Sequence, residues 1–261
     1  MQCPREDRLC CETNTMLDPE ADSRKCRNMD PSAKPTILAL DAAGNACSAA
    51  LWVREAVVAH RWEAMARGHA EALVPMAEEV VGLAGFGDVD LVAVSIGPGA
   101  YTGLRIAISV ARGLALALDI PVMGINSLEV HLHQARNQKI TGAIAVLLET
   151  KRTDFYVQAF GADDVPFDEP AVMDADAVAE LLSRYRVCTA VGDAVARFAA
   201  EVECEANLAL NPQDAGASVV ATLAATKIAT TGMADIRPPR PLYLRAPDTS
   251  PPAADRQILR G

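Results

Sequence analysis

Aromatic residues are scarce, making up 4% of a 261-residue chain in which 51% of residues are hydrophobic. A core drawn from such a chain is filled by Ala, Val and Leu rather than rings, which suits α/β layers better than an aromatic-rich β-sandwich. Positive charge is also short: 24 Lys and Arg stand against 34 Asp and Glu, for a formal net charge of -10. A surface of that sign repels phosphate backbones, and no basic block occurs along the chain, so a solitary nucleic-acid binder is not expected. No uncharged apolar run reaches the roughly 18 residues a membrane helix needs. The nearest, residues 106–123, is interrupted by Arg112 and Asp119. The N-terminus lacks the basic-then-apolar pattern of a signal peptide. The expected location is the cytoplasm, with no membrane partner.

Metal-ligand patterns are missing as well. Four of the seven cysteines (Cys3, Cys10, Cys11 and Cys26) fall in the first 35 residues without a C-x2-C spacing, and zinc sites want such paired short spacings. Reduced thiols are the simplest reading in a cytosolic chain. Residues 1–35 form a polar segment without periodicity, expected to be disordered or to precede the true start. Met29, just before "PSAKPTILALD", is a candidate initiator. The four histidines include no i, i+4 pair and no H-E-x-x-H, and no G-x-S-x-G elbow occurs, so neither a zinc protease nor a serine hydrolase is supported.

What is present alternates between strand and helix patterns. "TILALD" (36–41) is a buried-strand run, and "CSAALWV" and "EAVVAHRWEA" extend it into a meander with Arg54–Glu55 as the tight turn. "HAEALVPMAEEVVGLA" (69–84) spaces Leu73, Met76, Val80 and Leu83 as a helix does, with Pro75 marking a kink or a start. "DLVAVSI" is a strand, followed by a helix over 104–118, the strand "IPVMGI" and a short helix expected to be capped by Ser127. A second unit starts near Gly142. It holds the strands "AIAVLLET" and "DFYVQAF" joined by "KRT", a helix capped by Asp174, the strand "RVCTAVGD", the helix "AVARFAAEVE" and a long helix capped by Asp214. The Pro-rich tail cannot be helical and should run extended over the surface. The predicted organisation is an extension over 1–35, a lobe over 36–136, a second over 137–236 and a tail over 237–261, with no sequence repeat visible between the lobes.

Two features carry candidate chemistry. Asp41 ends a buried strand before a small-residue turn, where a carboxylate either anchors a phosphate or metal-bound water or caps the turn's own amides; the latter is the commoner use of Asp. "GPGAYTG" (97–103) pairs Gly97 and Gly99 around Pro98, and places Thr102 and Gly103 at a helix N-terminus whose free amides favour an anion. The loop lacks the P-loop lysine and departs from G-x-G-x-x-G. The helix after it is apolar nearly all round, so it is buried either wholly within the chain or partly against another subunit. The interface reading is preferred for the stripe Ala107, Ala111 and Ala115, flanked by Leu104 and Ile108, together with Leu73, Met76 and Val80 of the preceding helix. Lys151, Arg152 and Asp154 read as a solvated hairpin turn.

The stretches "ILALDAAGNACSAALW", "HAEALVPMAEEVV", "DLVAVSIGPGAYTGLRIAISVARGLALALDIPVMGINSLEV", "ETKRTDFYVQAF", "AVGDAV" and "PLYLRAPD" resemble, in order and spacing, the TsaB (YeaZ) family. The likeness covers residues 36–247 and is densest over 92–128. It implies a two-lobed actin-like or Hsp70-like ATPase fold of the α/β class. It also implies a role in making threonylcarbamoyladenosine beside the anticodon of tRNA, as a non-catalytic subunit that binds and activates the TsaD transferase, with the ATPase TsaE joining the assembly and a homodimer forming when TsaD is absent. tRNA is expected to be held only through the complex. The helices matching the family's interface are 69–84 and 104–118. Asp41, Gly97, Gly99, Thr102 and Gly103 would be remnants of a nucleotide site. The family's usual "DTS" after the first strand is here Asp41-Ala42-Ala43, which removes phosphate donors. No catalytic residue, metal or bound cofactor is therefore expected, with at most weak ATP or ADP binding inside a complex. The competing expectation is an ATP-dependent actin-fold enzyme, a peptidase-like member of the wider glycoprotease family or a small-molecule kinase of the same fold.

Overall fold

The computed structural model describes residues 34–82, 85–203, 206–210, 216–233 and 236–245. Residues 1–33, with four cysteines and Met29, lie outside it, as do Leu83, Ala84, Asp214 and the tail beyond 245.

Strand β1 (Ile37–Asp41) has no polar face because both sides of its sheet are covered. Its period-2 alternation sends Leu38 and Leu40 into one core and Ile37 and Ala39 into another. It pairs antiparallel with β2 (Ala46–Val53), which pairs with β3 (Ala56–Ala64) across the Arg54–Glu55 turn. Both turn residues have positive φ, 50° and 74°, the backbone of a tight primed hairpin. On its other side β1 pairs in parallel with β4 (Leu91–Gly97), and β4 with β5 (Val122–Asn126). The order is β3-β2-β1-β4-β5.

Helices α1 (His69–Val81) and α2 (Tyr101–Leu118) cover one face of this sheet. Pro75 sits inside α1 rather than at its start. By length and composition α2 could cross a membrane, even with Arg105 and Arg112 in it. In the fold its small residues instead press on Leu38, Leu40, Val92 and Val94. Helix α3 (Ser127–Asn137) begins with Asn126, not Ser127, as its cap: the Asn126 side chain accepts a bond from Leu128 N at 2.9 Å. Ser127 is one residue too late to accept from its own first turn.

The second sheet repeats the first. β6 (Ile144–Glu149), β7 (Phe155–Phe160) and β8 (Ala171–Met173) form an antiparallel meander. β6 then pairs in parallel with β9 (Thr189–Gly192), and β9 with β10 (Asn207–Leu210). The order β10-β9-β6-β7-β8 is the first sheet's order written backwards, so a topological duplication exists where no sequence repeat was visible. Helices α4 (Ala175–Arg184) and α5 (Val195–Glu201) cover one face, and α3 covers the other. Asp174 caps α4 as expected, accepting from Ala177 N at 2.9 Å.

The expected lobe boundary needs one correction. Helix α6 (Gly216–Thr231) belongs to the first lobe, where Ala217, Val220, Ala221 and Ala224 bury against Ile37, Ala39, Ala50 and Leu91. Its first turn is held by Ala217 N donating to the buried Ser48 Oγ at 2.9 Å. The tail then runs extended, with Leu242 N donating to Ile96 O at 2.7 Å. The chain therefore passes from the first lobe to the second and back. Helix α3 packs on both sheets, with Val130 in the first lobe's core and Leu128, Leu132 and Ala135 in the second's.

Candidate functional site

The two meander turns, β1–β2 and β6–β7, face each other across a cleft floored by α3. A cavity of about 340 Å³ lies between them, lined by Asp41, Glu149, Asp193, Lys151 and His131. Asp41 is where the sequence placed it, and its carboxylate accepts from Ala43 N at 3.1 Å, the turn-capping use. Ala42 and Ala43 are buried, and Ala100 N donates to Ala43 O at 2.7 Å.

That contact explains the glycines. A Cβ on Gly99 would strike the Ala43 carbonyl, and one on Gly103 would strike the Ala42 carbonyl. The "GPGAYTG" loop is small because the β1–β2 turn lies directly on it, and the Ala100 amide is spent on that turn. Gly97 takes a positive φ of 101° before a cis Gly97–Pro98 peptide. Thr102 is exposed on the outer side.

Opposite, the β6–β7 turn is charged and held from behind. Arg197 of α5 donates to both carboxylate oxygens of Glu149 at 3.0–3.2 Å, and to the Asp154 carbonyl at 2.8 Å. Its guanidinium lies 3.8 Å over the Phe155 ring. Glu149 N donates to Asp193 Oδ1 at 2.9 Å. Loss of solvation in the cleft pushes the Asp193 carboxyl up, and the Glu149 charge adds to this. His131 is pulled down to about 4 by burial, against the opposing pull of Asp41. Among the described residues no three His, Cys, Asp or Glu side chains meet in a metal-binding group.

The sequence missed Glu149, Asp193, His131 and Arg197. Asp193 had a signal, since it follows the buried strand "TAVG" just as Asp41 ends "ILALD". Arg197 had none, because it acts 48 residues away through α5.

The eight residues expected to meet a partner are a correction. Leu73, Met76, Val80, Leu104, Ala107, Ile108, Ala111 and Ala115 are each 5% exposed or less. The small stripe faces the chain's own sheet, where small side chains let helix and strands approach closely. The outward side of α2 is a different set: Ile106, Val110 and Leu114 are half-buried, while Ser109, Arg112, Gly113, Leu116 and Ala117 are exposed. Leu116 is 74% exposed, and nothing stands within 4 Å of a Cβ built on Gly113.

Residues 62–236 match the family described as TsaD, tRNA N6-adenosine threonylcarbamoyltransferase. The chain belongs to that family. Curated sequences similar to it include proteins called TsaB and, over a shorter stretch of 72 residues, proteins called tRNA N6-adenosine threonylcarbamoyltransferase. The tRNA threonylcarbamoyladenosine biosynthesis protein TsaB of Escherichia coli (strain K12) is 32% identical over 130 residues, covering 49% of this chain and 56% of the relative. That of Haemophilus influenzae (strain ATCC 51907 / DSM 11121 / KW20 / Rd) is 39% identical over 110 residues, covering 39% and 46%. The match thus spans about half the length of these curated relatives. The crystal structure of a protein with similarity to peptidase YEAZ from Pseudomonas aeruginosa superposes with a TM-score of 0.70 at 26% identity, over 81% of this chain and all of that one. This chain's sequence is similar to proteins called TsaB, and its fold of two mixed sheets with packed helices, of the α/β class, is shared with the YeaZ-like structure.

Proposed function

We propose that this chain is a non-catalytic, cytoplasmic subunit in the formation of threonylcarbamoyladenosine on tRNA, binding and activating a TsaD-type transferase. The observation that carries the reading is the outward face of α2, where Leu116 is 74% exposed beside the exposed Gly113 and Ala117, with Ser109 and Arg112 also in solvent, in a chain similar to proteins named for that biosynthesis. Exposed apolar surface on a helix beside a packed core is the ordinary mark of a protein contact. The same face would pair two copies of the chain when the transferase is absent, and a TsaE-type ATPase would join the assembly.

The cleft supports a role without nucleotide turnover. A bound triphosphate needs amide and hydroxyl donors on the β1–β2 turn. Here Ala42 and Ala43 offer no hydroxyls, the turn is buried against Gly99 and Gly103, and three carboxylates line the cavity. Each missing charged-acceptor bond costs a bound phosphate roughly 1.5–3 kcal/mol. Calorimetry with magnesium and ATP on the isolated chain is expected to show no micromolar binding.

The deciding experiment is co-purification with the TsaD-type protein of the same organism. Gly113→Arg combined with Leu116→Glu fills open space and leaves the core untouched, so the variant is expected to fold and to lose the partner. Undiminished capture overturns the interface.

A further inference from the structure

The inner cavity of about 340 Å³ holds more polar chemistry than its own walls use. Carboxylates reach it from both lobes: Asp41 from the first, Glu149 and Asp193 from the second. Glu149 is spent, because Arg197 grips both of its oxygens. Asp41 and Asp193 are not. Asp41 accepts from Ala43 N at 3.1 Å and Asp193 from Glu149 N at 2.9 Å, one backbone amide each. An amide positions a carboxylate without cancelling its charge, and neither residue has an ion pair among the described residues. Lys151 lines the same cavity, is exposed, and pairs with neither of them. His131, held near 4 by burial, adds no charge at neutral pH.

The cavity also has an unspent hydroxyl. Ser127 is 4% exposed and lines it, and its Oγ has no hydrogen-bond partner among the described residues. Asn126, one residue earlier, has taken the cap of α3, so the Ser127 hydroxyl has no helix amide to serve. A buried hydroxyl without a partner is costly, and a polar group on a ligand is one way to complete it.

The unspent groups carry both signs, and that selects the ligand. A phosphate ester would meet Asp41 and Asp193 with its own charge. A metal ion would find no group of three ligands among the described residues. A bare ammonium ion would be opposed by Lys151 and by the N-terminus of α3, worth about half a positive charge. A molecule carrying both an ammonium and a carboxylate group satisfies every one of them, and charge-assisted bonds of this kind are the strong ones. A cavity of this size takes a small molecule.

We propose that the inner cavity binds a small zwitterion, a free amino acid, with Asp41 and Asp193 on its ammonium group, Lys151 on its carboxylate and Ser127 completing the polar contacts. The inference rests on the cavity alone and not on the proposed role in tRNA modification.

The test is an NMR titration of the isotopically labelled full chain, read at the indole N–H resonances of its two tryptophans. Trp62 lines the cavity, whereas Trp52 packs with α6 on the first sheet. Binding is expected to move the Trp62 resonance and leave that of Trp52 in place, with Trp62→Phe assigning the two. The probes are L-alanine, β-alanine and γ-aminobutanoate, which hold their two charges at increasing separation. At least one is expected to saturate, with butylamine and butanoate, each keeping a single charge, at least tenfold weaker. Asp41→Asn and Asp193→Asn keep the acceptors for Ala43 N and Glu149 N and remove only the charge. Each is expected to weaken binding about tenfold or more. Lys151→Gln and Ser127→Ala are expected to weaken it severalfold. Asp176→Asn, on the exposed side of α4, is the control and is expected to change nothing. Absence of a saturable Trp62 shift with all three amino acids overturns the proposal. So does butylamine binding as tightly as they do, the same saturable shift with magnesium alone, or an equal loss in the control. Because no transferase is present, the outcome is independent of the co-purification result.

Discussion

The two lobes share one strand order and have been put to different use. The second lobe is filled with rings: Phe155, Phe160 and Phe198 are buried there, whereas every fully buried large side chain of the first lobe is aliphatic. The second lobe's helix α4 shows only polar residues to solvent (Asp176, Glu180, Ser183 and Arg184), while the first lobe's α2 shows Gly113, Leu116 and Ala117 beside Arg105, Ser109 and Arg112. The equivalent meander turns have diverged most. β1–β2 is small, buried and closed onto a glycine loop; β6–β7 is charged, exposed and braced by one arginine. A duplicated frame thus carries an exposed Leu116 on one copy's helix and a charged turn on the other, differences that topology does not fix.

The sharpest way to test that division is to place one charge on each face of α2. Ala111→Arg buries an uncompensated cation against the first sheet and is expected to cost more than about 4 kcal/mol, enough to prevent folding. Leu116→Arg, one turn along but outward, is expected to stay within about 0.5 kcal/mol of the parent in urea unfolding. Equal effects at the two positions would erase the distinction between core face and outward face. In the second lobe, Phe198→Ala removes the edge-to-face partner of Phe155, 5.7 Å away, and is expected to cost about 3–5 kcal/mol. Arg197→Ala takes the guanidinium donors from the Glu149 carboxylate and leaves the Asp154 carbonyl only the Thr150 hydroxyl. It should raise hydrogen exchange of the β6–β7 turn selectively, leaving the β1–β2 turn protected. The smallest of these energetic effects is the loss of a cap: Asp174→Ala should cost about 1 kcal/mol.

The cleft floor adds a pH dependence. His131 titrates near 4 when folded, below its ordinary 6.5. The unfolded chain therefore binds the extra proton first, so this residue's contribution is full above 6.5, falls as pH drops toward 4, and is flat below. His131→Gln is expected to remove that part of the slope in unfolding titrations between those limits.

Much of the frame was legible from periodicity. Strands such as "ILALD" and "IAVLLE" announced themselves as apolar runs, because a sheet covered on both faces leaves no polar position. The Arg54–Glu55 turn and the Asp174 cap were legible because their chemistry is local. What failed was anything decided at a distance. The stripe of Ala107, Ala111 and Ala115 fits a partner and fits a sheet equally well, and only the path of β1 and β4 beneath it decides. The return of α6 to the first lobe depends on Ser48, 169 residues away in sequence. Strands β8 and β10, three and four residues long, were too short to carry a period. At the site, Asp41 was visible as a strand-ending carboxylate, but the answering Glu149–Arg197 pair required the second lobe to be folded.

One detail of the tail bears on motion. Its last described residue, Arg245, forms an ion pair with Asp154 on the second lobe's turn, while Leu242 and Tyr243 are fastened to the first lobe at Ile96 and Arg105. The tail is therefore a bridge between the two lobes at the edge of the cleft. Parting the two lobes at that edge would break the Arg245–Asp154 pair.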